Sequence, residues 1–196
     1  GGLFYTQGQF DTAGALYARA PAIREKTYGP VHPSVALSLN TLGSVDRRTG
    51  RAQDAERAFL RALAIYEQLS GPDHPETASV LNNLALLEVA QGKYAQAGEH
   101  ARRALAIREK AFGPAYPGLA PVLGTLASAY AAQGDRALAQ SLYALALSLR
   151  EASLPADHPS IAISMNALAR TLDAHGDYPQ ALLYAYGAYR AFCDEY

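Results

Sequence analysis

The sequence predicts an all-α solenoid of antiparallel helix pairs, and three periodic landmarks carry that prediction. Glycines recur every 42 residues at Gly8, Gly50, Gly92, Gly134 and Gly176. Alanines keep the same step at Ala13, Ala55, Ala97, Ala139 and Ala181, and again at Ala20, Ala62, Ala104, Ala146 and Ala188. A third landmark, His32-Pro33, His74-Pro75, Tyr116-Pro117 and His158-Pro159, follows it too. A fixed period of this length means stacked copies of one supersecondary unit, none able to bury its apolar face alone. The usual work of such a stack is to present a long surface to a partner.

Within the copy that begins at His74, Pro75 suits the first helical position, where a missing N–H is harmless, with Asp73 or His74 as N-cap. Ala78, Leu81, Leu84 and Ala85 follow at helical spacing, and Gln91-Gly92 ends the segment. A second helix starts near Tyr94, with Ala97, Ala101, Ala104, Leu105 and Ile107 as its buried stripe, and Gly113-Pro114 breaks it. Small residues at Ala85, Ala97 and Ala104 let helix axes approach within about 8–10 Å. Over the whole chain, first (A) helices are expected at 33–48, 75–90, 117–132 and 159–174. Second (B) helices are expected at 9–27, 52–69, 94–111, 136–152 and 178–193. The repeats divide as a partial copy over 1–31, then 32–73, 74–115, 116–157 and 158–196, in one continuous array.

Residues Gly1 to Gln7 match the end of an A helix, so the sequence starts inside a repeat. Phe4, Phe10, Tyr184, Tyr186, Tyr189 and Phe192 crowd the two ends, where a complete solenoid carries polar caps. The expectation is a piece of a longer array, or an end-to-end homo-oligomer that hides those faces.

Composition narrows the function. Alanine and leucine dominate a 49% hydrophobic content, which is a helical vocabulary. A net charge of −1 argues against nucleic acid, which requires a basic patch. No apolar run is long enough for a transmembrane span, no signal peptide opens the chain, and no membrane partner is expected. The single cysteine, Cys193, excludes an internal disulfide and favours a reducing, cytoplasmic compartment. GxSxG, P-loop, HExxH and CxxC patterns are absent, so neither an enzyme nor a cofactor is expected. His32, His74 and His158 do not make a metal site. Equivalent positions in stacked repeats lie about 10 Å apart, whereas zinc ligands sit about 2.1 Å from one ion.

The landmark order (small residue in helix A, Gly, aromatic, Ala, then Ala late in helix B) resembles the tetratricopeptide repeat. The 42-residue length and the strings LNNLA (81–85), GKYAQA (92–97), RALAIREK (103–110) and GPDHP (71–75) are similar to its kinesin-light-chain-type subclass. The resemblance covers essentially all of the chain. It implies a right-handed superhelix whose A helices line a concave groove that takes extended peptide segments. It also implies that asparagines of the LNNLA string contact the peptide main chain. The leading function is therefore a non-enzymatic scaffold for a protein or peptide partner. Arginine outnumbering lysine and abundant alanine point to a GC-rich, bacterial source. The alternative function is a sensor or autoinhibitory repeat segment of a larger bacterial regulatory protein.

Asparagine is a poor mid-helix residue, yet Asn40, Asn82 and Asn166 share one A-helix register, with Asn83 beside the second. A ladder of amides can pair with any peptide backbone, since each supplies donor and acceptor; alternatively the amides bond neighbouring repeats. Thr41 and Thr125 share the Asn83 register. Arg47, Arg48 and Arg170 fall toward the groove with Asp46, Glu88 and Asp173, to read peptide charges or to pair among themselves. Glu25, Glu67, Glu109 and Glu151, usually following Arg24, Arg108 or Arg150, read as a solvated outer face.

Three departures carry their own expectations. Asp46 and Glu88 occupy an A-helix register where the family usually has tyrosine. Pro21 should kink or split the helix around it. Pro117 and Pro121 should delay the third A helix to about Ala120, and Gly124 should leave a space in the amide ladder.

Overall fold

The computed structural model describes residues 10–193. The expected stub over residues 1–7, with Phe4, lies outside them, as do the side chains of Phe10, Phe192 and Cys193. Among the described residues every regular element is helical, and the A and B helices fall within three residues of their expected bounds. They form two compact units, divided between Gln91 and Gly92.

The first unit holds α1 (Phe10–Tyr28), α2 (Pro33–Arg48), α3 (Ala52–Ser70) and α4 (Pro75–Ala90). Its core joins Val35 and Leu39 of α2, Ala55, Phe59, Ala62 and Ile65 of α3, and Val80, Leu84 and Leu87 of α4. Gly43 is small for a reason. A Cβ there would lie 2.7 Å from the fully buried ring of Phe59.

The second unit holds α5 (Tyr94–Phe112), a 3-10 turn (Pro117–Leu119), α6 (Ala120–Gln133), α7 (Arg136–Glu151), α8 (Pro159–His175) and α9 (Tyr178–Cys193). Leu119, Leu123, Ala146 and Leu149 pack one core cluster, and Leu147, Ile161, Leu168, Leu172 and Ala181 another.

Helix starts follow from the His-Pro landmarks. His32, His74 and His158 each accept from the N–H two residues on through Nδ1, at 3.1, 3.3 and 3.1 Å. They satisfy one of the donors that a helix start leaves without an intrahelical partner. Where Tyr116 replaces histidine no side chain caps the helix, and the first turn tightens to the 3-10 form before α6 begins at Ala120 with Pro121 in its first turn. The late start expected from the two prolines is thus observed. A-helix ends follow from the glycine landmarks, with Gly134 and Gly176 in the left-handed region at φ 91° and 89°.

Pro21 does not split its helix. It is buried within α1, which runs unbroken through it. A proline removes one backbone bond, and the packing of α1 against α2 holds the turns on either side.

The arginines assigned to a solvated outer face have a structural task instead. Arg24 Nη1 donates to the Ser34 carbonyl at 2.7 Å, and Arg108 Nη1 donates to the Gly118 carbonyl at 2.6 Å. Arg150 Nη1 donates to Ser164 Oγ, and burial lowers its pKa from the ordinary guanidinium value. Each ties a B helix to the first turns of the following A helix. In α3 the same register holds Tyr66, whose phenol bonds the Glu76 carboxylate. Of the glutamates, Glu25 pairs with Arg61 of α3 at 2.7 Å.

Candidate functional site

The A-helix faces of the two units differ in what they leave open. In the first unit, Asn83 Nδ2 donates to Asn40 Oδ1 at 2.8 Å, joining α4 to α2. Both amides are half-buried, and each keeps groups that this one bond does not use. Thr41 Oγ1 donates to the Leu37 carbonyl at 2.9 Å, within its own helix. Asn82 Oδ1 and Arg47 Nε are buried atoms with no hydrogen-bond partner among the described residues. Neither atom presents itself to an open surface.

Of the three groove acids two are buried, Asp46 and Glu88, while Asp173 is exposed on α8. Asp46 is only 4% exposed, and Arg51 reaches its Oδ1 through Nε and Nη2, both at 2.8 Å. The Arg51 N–H also donates to the Asp46 carbonyl at 2.8 Å. Asp46 therefore pins the turn from α2 into α3 rather than offering charge to a peptide. Glu88, at the equivalent register of α4, is likewise buried.

The second unit contains a cleft of about 340 Å³ between the A helices α6 and α8, floored by α7. Ser128 of α6 and Tyr143 of α7 share a hydrogen bond of 2.7 Å on its floor. Ala131, Ala132, Ala167 and Ala174 make its walls. Thr171 is buried beneath them with its hydroxyl donating to the Ala167 carbonyl at 2.9 Å. Arg136 and Arg170 line it with exposed side chains, and among the described residues neither has an ion-pair partner. The lining thus combines small walls, a hydroxyl pair able to donate and accept, and two guanidiniums of the kind that favour carbonyl or carboxylate oxygens.

Of the residues singled out in the sequence, the structure brings Asn40 and Asn83 together, and places Arg170 in the cleft. Asn166 is exposed on α8, where it lines a second cavity with Arg170. Thr125 is buried, its hydroxyl bonded to the Pro121 carbonyl at 3.0 Å, so it has no polar group to offer a groove. Gly124 faces open space, with nothing within 4 Å of an added Cβ, but the cleft lies one turn further along α6, at Ser128. Ser128, Arg136, Tyr143 and Thr171 were not singled out. No single register marks them: the B-helix series through Tyr143 reads Tyr17, Phe59, Ala101, Tyr143, Ala185, so its tyrosine is not unique.

Among the described residues no cluster of three His, Cys, Asp or Glu is placed to hold a metal. No helix among them is long and apolar enough to cross a membrane.

Helix hairpins repeated at a fixed step, with small residues at the crossings, define a helical-repeat protein of the kind that mediates protein–protein interaction. The tetratricopeptide repeat profile matches residues 1–68, 38–110, 76–152 and 118–194, and the chain belongs to that family. Among solved structures, BtubC (BKLC) from P. vanneervenii superposes with a TM-score of 0.81 at 22% identity, over 98% of this chain and 77% of that one. A Podosopora anserina protein, described as a kinesin light chain with nearly identical TPR-like repeats, gives 0.75 at 26% identity, over 98% and 91%. Apo RapI gives 0.74 at 16% identity, with this chain spanning about half of it (52%). No curated protein matches the chain in sequence.

Proposed function

We propose that this protein is a non-catalytic scaffold that holds an extended segment of a protein partner along its A helices. The observation that carries the reading is the α6–α8 cleft, where Arg136 and Arg170 flank the Ser128–Tyr143 hydroxyl pair and no described carboxylate answers either cation. In this reading the cleft takes a polar or acidic side chain of the segment. Separately, within the first unit, the amide groups that the Asn40–Asn83 bond leaves unused can pair with a peptide main chain.

The unbroken 42-residue step supports treating both units as parts of one array. The lone cysteine and the net charge of −1 support a cytoplasmic protein with neither nucleic acid nor membrane as partner.

The test is affinity capture on the immobilised chain, read by mass spectrometry, with wild type compared to Arg136→Ala/Arg170→Ala. Both side chains are exposed, so folding is preserved. Proteins enriched by wild type should be depleted at least about tenfold by the double variant, the loss of roughly 1.4 kcal/mol. Equal capture by both would overturn the reading.

A further inference from the structure

Glu25, Glu67, Glu109 and Glu151 recur at one B-helix register, and a second register reads Arg19, Arg61, Arg103, Leu145 and Gly187. In the first unit the two registers meet. Arg61 of α3 reaches Glu25 of α1 at 2.7 Å, so one arginine side chain spans the two B helices on either side of α2 in the chain. Three repeats further on, α7, α8 and α9 are the equivalent helices, and Gly187 stands where Arg61 stood. A cavity of about 230 Å³ opens here, lined by Glu151, Leu154, Ala156, Ile161 and Met165. A Cβ added to Gly187 would lie 3.2 Å from Met165 Sδ, which places the cavity between the root of the absent side chain and the Glu151 carboxylate. Among the described residues Glu151 has no ion-pair partner, and Arg190, the one cation of α9, does not line the cavity. The helices that carry the pair in the first unit all have counterparts here. The opening therefore follows from the glycine and not from where the sequence stops.

We propose that this cavity receives an arginine side chain of a partner protein, in the place that the chain's own arginine leaves empty. Leu154, Ala156, Ile161 and Met165 suit the aliphatic stem of an arginine, which packs along apolar surface while its charged head stays at the rim. There the planar guanidinium meets the Glu151 carboxylate, the pairing that allows two parallel N–H···O bonds. The volume falls below the roughly 300–1,000 Å³ of small-molecule sites and suits a single long side chain. Arginine is assigned over lysine because the first unit pairs its glutamate with arginine, and because a guanidinium is more weakly hydrated than an ammonium. Met165 is half-buried where its counterpart Leu39 is buried, and an unbranched thioether adapts to an entering chain.

Titration of a blocked Ala-Ala-Arg-Ala-Ala peptide into the labelled full chain, followed by NMR, tests this, with lysine and citrulline peptides as controls. The arginine peptide should shift Glu151, Leu154, Ile161 and the Met165 methyl group, saturating with a Kd on the order of millimolar. Citrulline keeps the shape without the charge and should bind at least about tenfold more weakly. The arginine peptide should lose as much on Glu151→Gln, a change at an exposed position that preserves the fold. Gly187→Arg should supply the internal pair, exclude the peptide, and raise the melting temperature above that of Gly187→Ala, a surplus that disappears on adding Glu151→Gln. The Glu151→Gln arm decides the matter if Gly187→Arg folds poorly against Met165. No saturable shift at these residues by about 20 mM peptide overturns the proposal. Lysine or citrulline peptides that bind as tightly as arginine, or arginine binding indifferent to Glu151→Gln, overturn it equally. Shifts of the same residues that grow with protein concentration alone would give the cavity to a second copy of the chain and also overturn it. None of the lining residues belongs to the α6–α8 cleft, so the peptide reading stands or falls separately.

Discussion

Tyr66 should make the stability of the first unit fall in strongly alkaline solution, above about pH 10. Its side chain is 4% exposed, and its pKa is pushed up from 10.0 to about 12, first by burial and then by the charge and hydrogen bond of Glu76. Burial and a neighbouring carboxylate both disfavour the phenolate. The folded value lies above the unfolded one, so the stabilisation is complete below pH 10. It is lost as pH rises from 10 through about 12. Linkage over these two values gives a loss of about 0.4 kcal/mol at pH 10 and about 1.4 kcal/mol at pH 11. The assay is urea denaturation of wild type and Tyr66→Phe at intervals from pH 8 to 11, where arginines keep their charge. Subtracting the two curves cancels the other twelve tyrosines. The wild-type advantage should shrink by about 1.4 kcal/mol between pH 8 and 11. A difference curve flat across that range would show a phenol that titrates as it does unfolded, and would refute the buried Tyr66–Glu76 contact.

Gly43→Ala should destabilise by about 1–2 kcal/mol in chemical denaturation. A methyl group driven against the Phe59 ring costs about 1–3 kcal/mol, while leaving glycine in a helix returns up to about 1. The Gly43→Ala cost should vanish when Phe59 is also changed to Leu. Gly124→Ala should do the reverse and stabilise by about 0.5–1 kcal/mol, because its surroundings are empty. Arg51→Ala should cost more than Asp46→Ala, about 3 kcal/mol against 1–2. The first strands a buried carboxylate, whereas the second frees an arginine whose side chain is already 43% exposed.

Much of the fold was legible because its marks are local. Proline after a capping histidine starts a helix, a left-handed glycine stops one, and both depend on a few adjacent residues. The delayed start of α6 followed from Pro117 and Pro121 by the same logic. The reading weakened wherever a side chain's role depends on which neighbour it reaches. Arg24 and Arg108 look solvated in sequence, yet each ends on a carbonyl ten residues away. Asp46 looks like a groove charge until Arg51 closes over it across a turn. Pro21 was expected to kink or split its helix from its lost bond and ring clash, and α1 runs through it without a split. Asparagine periodicity pointed to the polar register but not to its use, since spacing cannot separate a bond between repeats from one to a ligand. The cleft at Ser128 and Tyr143 escaped notice because its residues lie on three helices and share no period.

The most direct test of the central claim, that the A-helix cleft of the second unit takes an extended peptide segment, is selection followed by mapping. Peptides would be selected from a random linear library against the immobilised chain, and the enriched sequence titrated into labelled protein by NMR. The account predicts shifts concentrated at Ser128, Arg136, Tyr143 and Arg170, in a peptide carrying a polar or acidic residue at the position that shields them. Shifts confined to α9 or to the outer faces of the B helices, or no enrichment over a scrambled library, would contradict it.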